Sequence, residues 1–167
     1  WLPLFTWQHT MIPELGHFSL ILALLAAASL GVLPLVGAYQ NRADWMAYAR
    51  PSTQALWFLT AFSFCCLTYA FYTNDFSVQY VAQQSNSKLP MLYKISGVWG
   101  GHEGSLLLWM LMLSSWMMAV SIFSRQLPDV MVSRVLAVLG LVSVGFMLFM
   151  LLTSNPFDRL ADMPADG

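Results

Sequence analysis

LGHFSLILALLAAASLGVLPLVGAY, residues 15–39, contains no Asp, Glu, Lys or Arg. Its roughly 25 residues exceed the ~20 that a helix needs to cross the hydrocarbon core of a bilayer, so the run reads as a tilted or bent membrane span. Pro34 supplies the bend, because it has no N–H and crowds the carbonyl of Leu30, while Gly31 lets the chain yield there.

The rest of the chain repeats this pattern. Residues 52–72 form a second apolar run behind Pro51, a residue suited to a first helical turn. Trp57 and the Tyr69, Phe71, Tyr72 group read as interfacial aromatics of this span. A third run covers 105–123 and is closed by Arg125 and Pro128; a fourth covers 135–152 and stops at Asn155-Pro156. With 58% hydrophobic and 9% charged residues and a mean hydropathy of +0.63, the 167-residue chain reads as an all-α, polytopic membrane protein of about four transmembrane helices. Its organisation follows: an extension at 1–10 before Met11, two spans within 11–72, a long loop at 73–104, two spans within 105–152, and a tail at 153–167. ADMPADG has no closing element, so the chain reads as the N-terminal part of a larger helical bundle.

Charge orients the spans. Arg42 and Arg50 follow the first span and Arg125 and Arg134 the third, so these loops are expected on the cytoplasmic side. The N-terminus, the long loop and the tail then face the periplasm, where most acids lie, together with Lys88, Lys94 and Arg159. A net charge of −1 with seven Lys and Arg argues against a nucleic-acid partner and leaves membrane lipid as the general one. Cys65 and Cys66 are adjacent in an apolar run and read as packing residues. No Cys-x-x-Cys-His is present, so the chain is not itself a c-type cytochrome.

Polar chemistry concentrates in WGGHEGSLLLW, residues 99–109. His102 and Glu103 are neighbours, so on a helix they diverge by ~100° and cannot clamp one metal as an i, i+4 pair would. Glu103 suits the positive end of a helix dipole, which alone accounts for it. The functional reading places the pair at an interfacial cavity, with His102 ligating haem or relaying a proton and Glu103 orienting a partner. Gly100, Gly101 and Gly104 remove side chains at the turn, either for the approach of another helix through Gly100-x-x-x-Gly104 or for a flat ligand against bare backbone beside Trp99 and Trp109. His102, Leu106, Trp109, Leu113 and Trp116 share one helical stripe, which suits packing or lipid as well as a cofactor. His17, at the start of the first span, is an interface group or a ligand; His9, in the extension, carries no weight. The 11 methionines, including Met110, Met112, Met117 and Met118, read as apolar packing rather than axial ligands. FSVQYVAQQS, residues 76–85, alternates partly with period two and reads as an extended or amphipathic piece on the membrane. No catalytic triad, phosphate loop or closed metal site is found.

MIPELGHFSLILAL, DFSVQYVAQQSNSKLP, YKISGVWGGHEGSLLLW and SNPFDRL, in that order, resemble the N-terminal region of the CcmF-type cytochrome c haem lyase subunits over residues 11–167. The resemblance implies a bacterial inner-membrane protein that receives haem from a CcmE-like chaperone, works with a CcmH-like subunit presenting apocytochrome c, and joins haem vinyl groups to cysteine thiols. It also implies a b-type haem in the complete protein. The family's tryptophan-rich segment, outer-face histidines and haem-ligating histidines match no position here, so the ligands are expected outside this chain and His102 takes no axial role from the resemblance. Trp99, Gly100, Gly101, His102, Glu103, Gly104 and Ser105 are then a docking or orienting surface for haem or its carrier, with His17 as a further candidate. The segment alone is expected to be inactive. A related subunit dedicated to a multihaem nitrite reductase is not separated from this reading. A transporter or ion-pathway subunit is the alternative of another class, motivated by Pro34 and the polar helix mouth, although no charge lies deep in a span and no inverted repeat is visible.

Overall fold

The computed structural model describes residues 11–161 and 166; the extension at 1–10 with His9, together with Asp162, lies outside the described residues. In chain order the helices are α1 (Met11–Gln40), α2 (Ala43–Met46), α3 (Ala49–Tyr72), α4 (Gln79–Gln84), α5 (Met91–Gly97), α6 (His102–Phe123) and α7 (Asp129–Thr153). Four segments are long and apolar enough to cross a membrane: α1, the α2–α3 pair from Ala43 to Tyr72, α6 and α7. They pack as a ring in which α1 and α6 both lean on α3 and α7.

Lipid tails are as apolar as leucine, so burial alone does not bring such helices together; close packing of small residues and hydrogen bonds do. The buried face of α1 carries Gly16, Ser19, Ala23, Ala27, Gly31 and Gly37, and that of α7 carries Ser133, Ala137, Gly140 and Ser143. The tightest approach joins Gly31 and Gly140. A Cβ at Gly140 would lie 3.0 Å from the backbone nitrogen of Gly31 and 3.2 Å from the carbonyl oxygen of Ala27, and one at Gly31 would meet Leu141 Cδ2 at 2.7 Å. Gly31 therefore serves packing, where the sequence suggested bending. Across the α1–α3 seam, Ser19 Oγ donates to the Leu59 carbonyl at 2.7 Å and Ser63 Oγ to the Gly16 carbonyl at 3.1 Å. Such bonds contribute about 0.6 kcal/mol each inside a membrane, enough to fix register when several act together. Met110, Met117, Met147 and Met150 fill the interior, with Ser143 Oγ 3.5 Å from Met117 Sδ.

Helix ends differ from expectation in informative ways. The first helix continues through Pro34, which is buried. Six more residues, from Asp129 on, join the fourth helix in front of residue 135, because Pro128 supplies a preset φ of −55° immediately before it. The third starts at His102 rather than 105, which moves His102, Glu103 and Gly104 from the loop into its first turn. Phe71 is fully buried and belongs to the core, whereas Tyr69 and Tyr72 are exposed as an interfacial belt requires. Trp57 is half-buried and its indole Nε1 donates to Ser115 Oγ on α6 at 2.9 Å, so it locks two helices.

Each end of the ring is tied. At one end Arg50 reaches the last turn of α6, donating to the Ser121 carbonyl and, at 3.3 Å, to the Ser124 carbonyl; a guanidinium suits the negative end of a helix dipole. At the other, residues 73–101 and 154–161 cover the bundle. Val78 and Arg159 form an isolated antiparallel bridge, flanked by Gln79 N to Asp158 O at 2.8 Å and Leu160 N to Ser77 O at 3.0 Å. Residues 76–85 thus form part of the cap, with Phe76, Val78, Tyr80 and Val81 buried against the rest of the protein.

The Gly31–Gly140 contact predicts that Gly140→Leu lowers the thermal unfolding midpoint in detergent, by an overpacking cost of about 1–3 kcal/mol. Gly145→Ala, where a Cβ meets nothing within 4 Å, leaves the midpoint unchanged or slightly raised. Equal behaviour of the two variants would contradict the contact.

Candidate functional site

The turn into α6 is built around one phenol. Tyr80, on α4, is 2% exposed, and its ring meets Phe71 of α3 edge-on with centroids 5.4 Å apart. A buried hydroxyl must find partners or forfeit about 1–3 kcal/mol. The Tyr80 hydroxyl donates toward the carbonyls of Val98, at 3.0 Å, and Gly97, at 3.3 Å, and accepts the Gly101 N–H at 2.9 Å. It therefore joins the end of α5 to the residue preceding α6.

This placement explains two of the glycines. A Cβ on Gly104 would stand 1.7 Å from the Val98 carbonyl oxygen and 2.6 Å from the Tyr80 hydroxyl; one on Gly101 would stand 2.6 Å from the Tyr80 ring. The demand is for space, since no described glycine has a positive φ. The small-residue spacing Gly100-x-x-x-Gly104 thus admits Tyr80 and the Val98 carbonyl, not another long helix, and Gly100 meets only ordinary contacts. Ser105 closes the turn, its Oγ donating to the Trp99 carbonyl at 2.7 Å and its N–H to the Gly101 carbonyl at 3.1 Å.

Around this scaffold the polar groups separate. His102 is exposed, with its ring edge-on to Phe149 of α7 at 6.1 Å. Glu103 is half-buried and lines a depression of about 130 Å³ with Tyr80, Gln79, Ser154, Asn155 and Asp158. Burial pushes the Tyr80 phenol above its ordinary value, the Gly101 and Gly104 amides oppose that shift, and the Glu103 charge adds to it. Trp109 and Trp116 are 60% and 71% exposed, so the tryptophans of the α6 stripe face outward; Trp99, before the helix, is 42% exposed.

His17 belongs to a different place, the α1–tail junction. Asn155 Nδ2 lies 3.1 Å from its Nδ1; with the amide donating, that nitrogen accepts and the ring proton sits on Nε2. Arg159 donates to Glu14 Oε1 through Nε at 2.8 Å and Nη2 at 2.5 Å, and to Ser77 Oγ through Nη1. Phe157 packs where a Cβ on Gly16 would be, 2.5 Å from its ring. His17, Glu14, Asn155, Phe157 and Arg159, with Pro13 and Asp158, line an open cleft of about 350 Å³ next to the Glu103 depression, with which it shares Asn155 and Asp158. Tyr80, Asn155 and Arg159 were not singled out from the sequence as site residues: Tyr80 lay in the partly alternating run at 76–85, and Asn155 and Arg159 lay in the polar stretch after the fourth span.

The two described histidines do not share a site. Among the described residues no three His, Cys, Asp or Glu side chains gather as a metal site. His17 and His102 stand on α1 and α6, opposite corners of the ring, one bonded to Asn155 and the other exposed. No buried two-histidine pocket forms from them.

Tyr80→Phe leaves the Gly101 N–H and Val98 carbonyl without their shared partner, so the unfolding midpoint falls by an amount equivalent to about 1–3 kcal/mol, while His102→Ala leaves it unchanged. Because the folded phenol resists ionisation, its stabilisation is complete below pH 10.0, the ordinary value, and declines as pH rises above it; Tyr80→Phe removes that alkaline decline. An unchanged midpoint in Tyr80→Phe would contradict the scaffold.

No family model matches the chain. It is 60% identical over 158 residues to the cytochrome c-type biogenesis protein CcmF of Pseudomonas aeruginosa, covering 94% of this chain and 24% of that protein. It is 40% identical over 157 residues to the cytochrome c-type biogenesis protein NrfE of Haemophilus influenzae, covering 94% of this chain and 25% of the relative. A solved structure, that of a cytochrome c heme lyase CcmF, superposes with a TM-score of 0.84 at 28% identity over 90% of this chain and 25% of its own. The chain thus spans about a quarter of the length of the relatives it matches. Over nearly its whole length the chain is thus similar, in sequence and in fold, to about a quarter of the CcmF-type cytochrome c-type biogenesis proteins.

Proposed function

We propose that this segment is the N-terminal four-span part of a haem lyase subunit of cytochrome c maturation in a bacterial inner membrane, with the Tyr80 cap on the periplasmic side. The observation that carries the proposal is the 60% identity with CcmF across nearly the whole segment, joined to the matching fold. Haem is the substrate, passed from a CcmE-like chaperone and attached to apocytochrome c presented by a CcmH-like subunit. In this reading the segment supplies a preformed docking surface. Tyr80 holds Trp99 to Ser105 in one conformation; Trp99 offers an exposed aromatic face, and His102 and Glu103 offer polar contacts to haem or its carrier. His17 and Arg159 extend this surface along the neighbouring cleft.

The 40% identity with NrfE supports a second reading, in which the client is a multihaem nitrite reductase. The higher identity to CcmF favours the first.

In a bacterium that depends on the complete protein, Gly104→Val abolishes haem-stained c-type cytochromes. His102→Ala and Glu103→Gln lower both the cytochrome yield and co-purification of the haem chaperone, and leave the b-type Soret band of the purified protein unchanged. Wild-type yield in both variants would refute the docking role, and a lost Soret band would place a haem ligand in this segment.

A further inference from the structure

Helix α5 has its polarity turned inside out. Lys94, its one charged residue, is 7% exposed and points into the cap, where Nζ donates to Asn74 Oδ1 at 2.7 Å and to the Ser87 carbonyl at 3.4 Å. The apolar residues point away: Met91 is 44%, Leu92 80%, Tyr93 65% and Ile95 37% exposed. A helix resting on a protein surface in water shows the reverse pattern, with its charge out and its apolar side chains in. Contiguous exposed apolar surface of this kind marks a contact with another apolar phase.

The position of α5 selects that phase. It packs against the end of α3, whose Tyr69 and Tyr72 are 46% and 56% exposed, and it leads directly to Trp99. Tyr and Trp beside aliphatic residues are the composition of a membrane–water interface. α5 thus sits beside the end of a helix that, if it spans, must turn an exposed face to lipid. At seven residues α5 is far short of the ~20 needed to cross a bilayer, so it lies in the plane. Lys88, exposed just before it, adds a cation at headgroup level, complementary to anionic lipid.

We propose that α5 is an interfacial anchor, with Met91, Leu92, Tyr93 and Ile95 sunk into the headgroup–acyl boundary and Lys94 pinned to Asn74 on the protein side. The sequence pointed to residues 76–85 for such a piece; the anchor is the following helix. This inference needs only that the long helices cross a bilayer, and it stands apart from the haem reading.

The test uses the complete protein in nanodiscs of phosphatidylcholine and phosphatidylglycerol. Leu92→Cys is labelled with an environment-sensitive fluorophore in a Cys65→Ala background, Cys66 being buried. Emission is expected to be blue-shifted and quenched several-fold more by lipids brominated near the headgroup end of the acyl chain than by aqueous iodide. The same label at Gln83→Cys, exposed on the cap, shows the opposite preference. Tyr93→Cys provides an independent second position. Quenching of Leu92 and Tyr93 labels by iodide but not by brominated lipid would overturn the proposal in favour of a water-facing helix. Protection from both quenchers would overturn it in favour of a protein partner.

Discussion

A buried phenol cannot be left without hydrogen-bonding partners, and in this protein that requirement organises the capped end of the bundle. Tyr80 sits on a six-residue helix too short to hold its own shape, yet its hydroxyl joins Gly97, Val98 and Gly101. Because Val98 must bring its carbonyl to that hydroxyl, Gly104 can carry no side chain, and the first turn of α6 closes against bare backbone. Fixing Val98 also fixes the end of α5 and so the direction of its apolar face. The same short segment is tied on its other flank by the Val78–Arg159 bridge, which brings Arg159 to Glu14 at the start of α1. The ion pair itself is worth about 0–1 kcal/mol at its exposure. Its importance is positional: with Asn155 on His17 and Phe157 on Gly16, it seats the tail on the first helix.

Within the spans a different constraint acts. Small residues at Gly31 and Gly140 let two backbones touch, and serines donate across the seams instead of leaving polar groups toward lipid. Exposed rings and charges lie at both ends, with Trp99 and His102 at the capped end and Tyr39, Arg42, Asp44 and Tyr48 at the other, while the membrane interior of the described segment contains no buried histidine.

Much of this was legible in the sequence. Hydropathy over residues 15–39, 52–72, 105–123 and 135–152 identified the spanning helices, because in lipid the backbone must satisfy itself and helices are the simple solution. Their ends were less legible: His102–Gly104 belong to a helix because Tyr80, distant in sequence, fixes the turn before them. The glycines of WGGHEG were recognisable as close-approach sites, but what approaches them was not, since Tyr80 lies more than twenty residues away in a run with strand-like alternation. Phe71 looked like an interfacial aromatic and is core, because α4 folds back over it. The inverted polarity of α5 was invisible for a related reason. MLYKISG reads as an ordinary mixed turn until the burial of Lys94 shows which side faces the protein.

The central claim is that the Tyr80 hydroxyl holds residues 97–105 in one conformation. Amide hydrogen exchange of the complete protein in nanodiscs measures this directly at the Gly101 N–H and across the peptide containing it. Exchange is expected to be slow in the wild type and strongly accelerated, within this turn alone, in Tyr80→Phe. Fast exchange there in the wild type, or identical exchange in the two proteins, would contradict it.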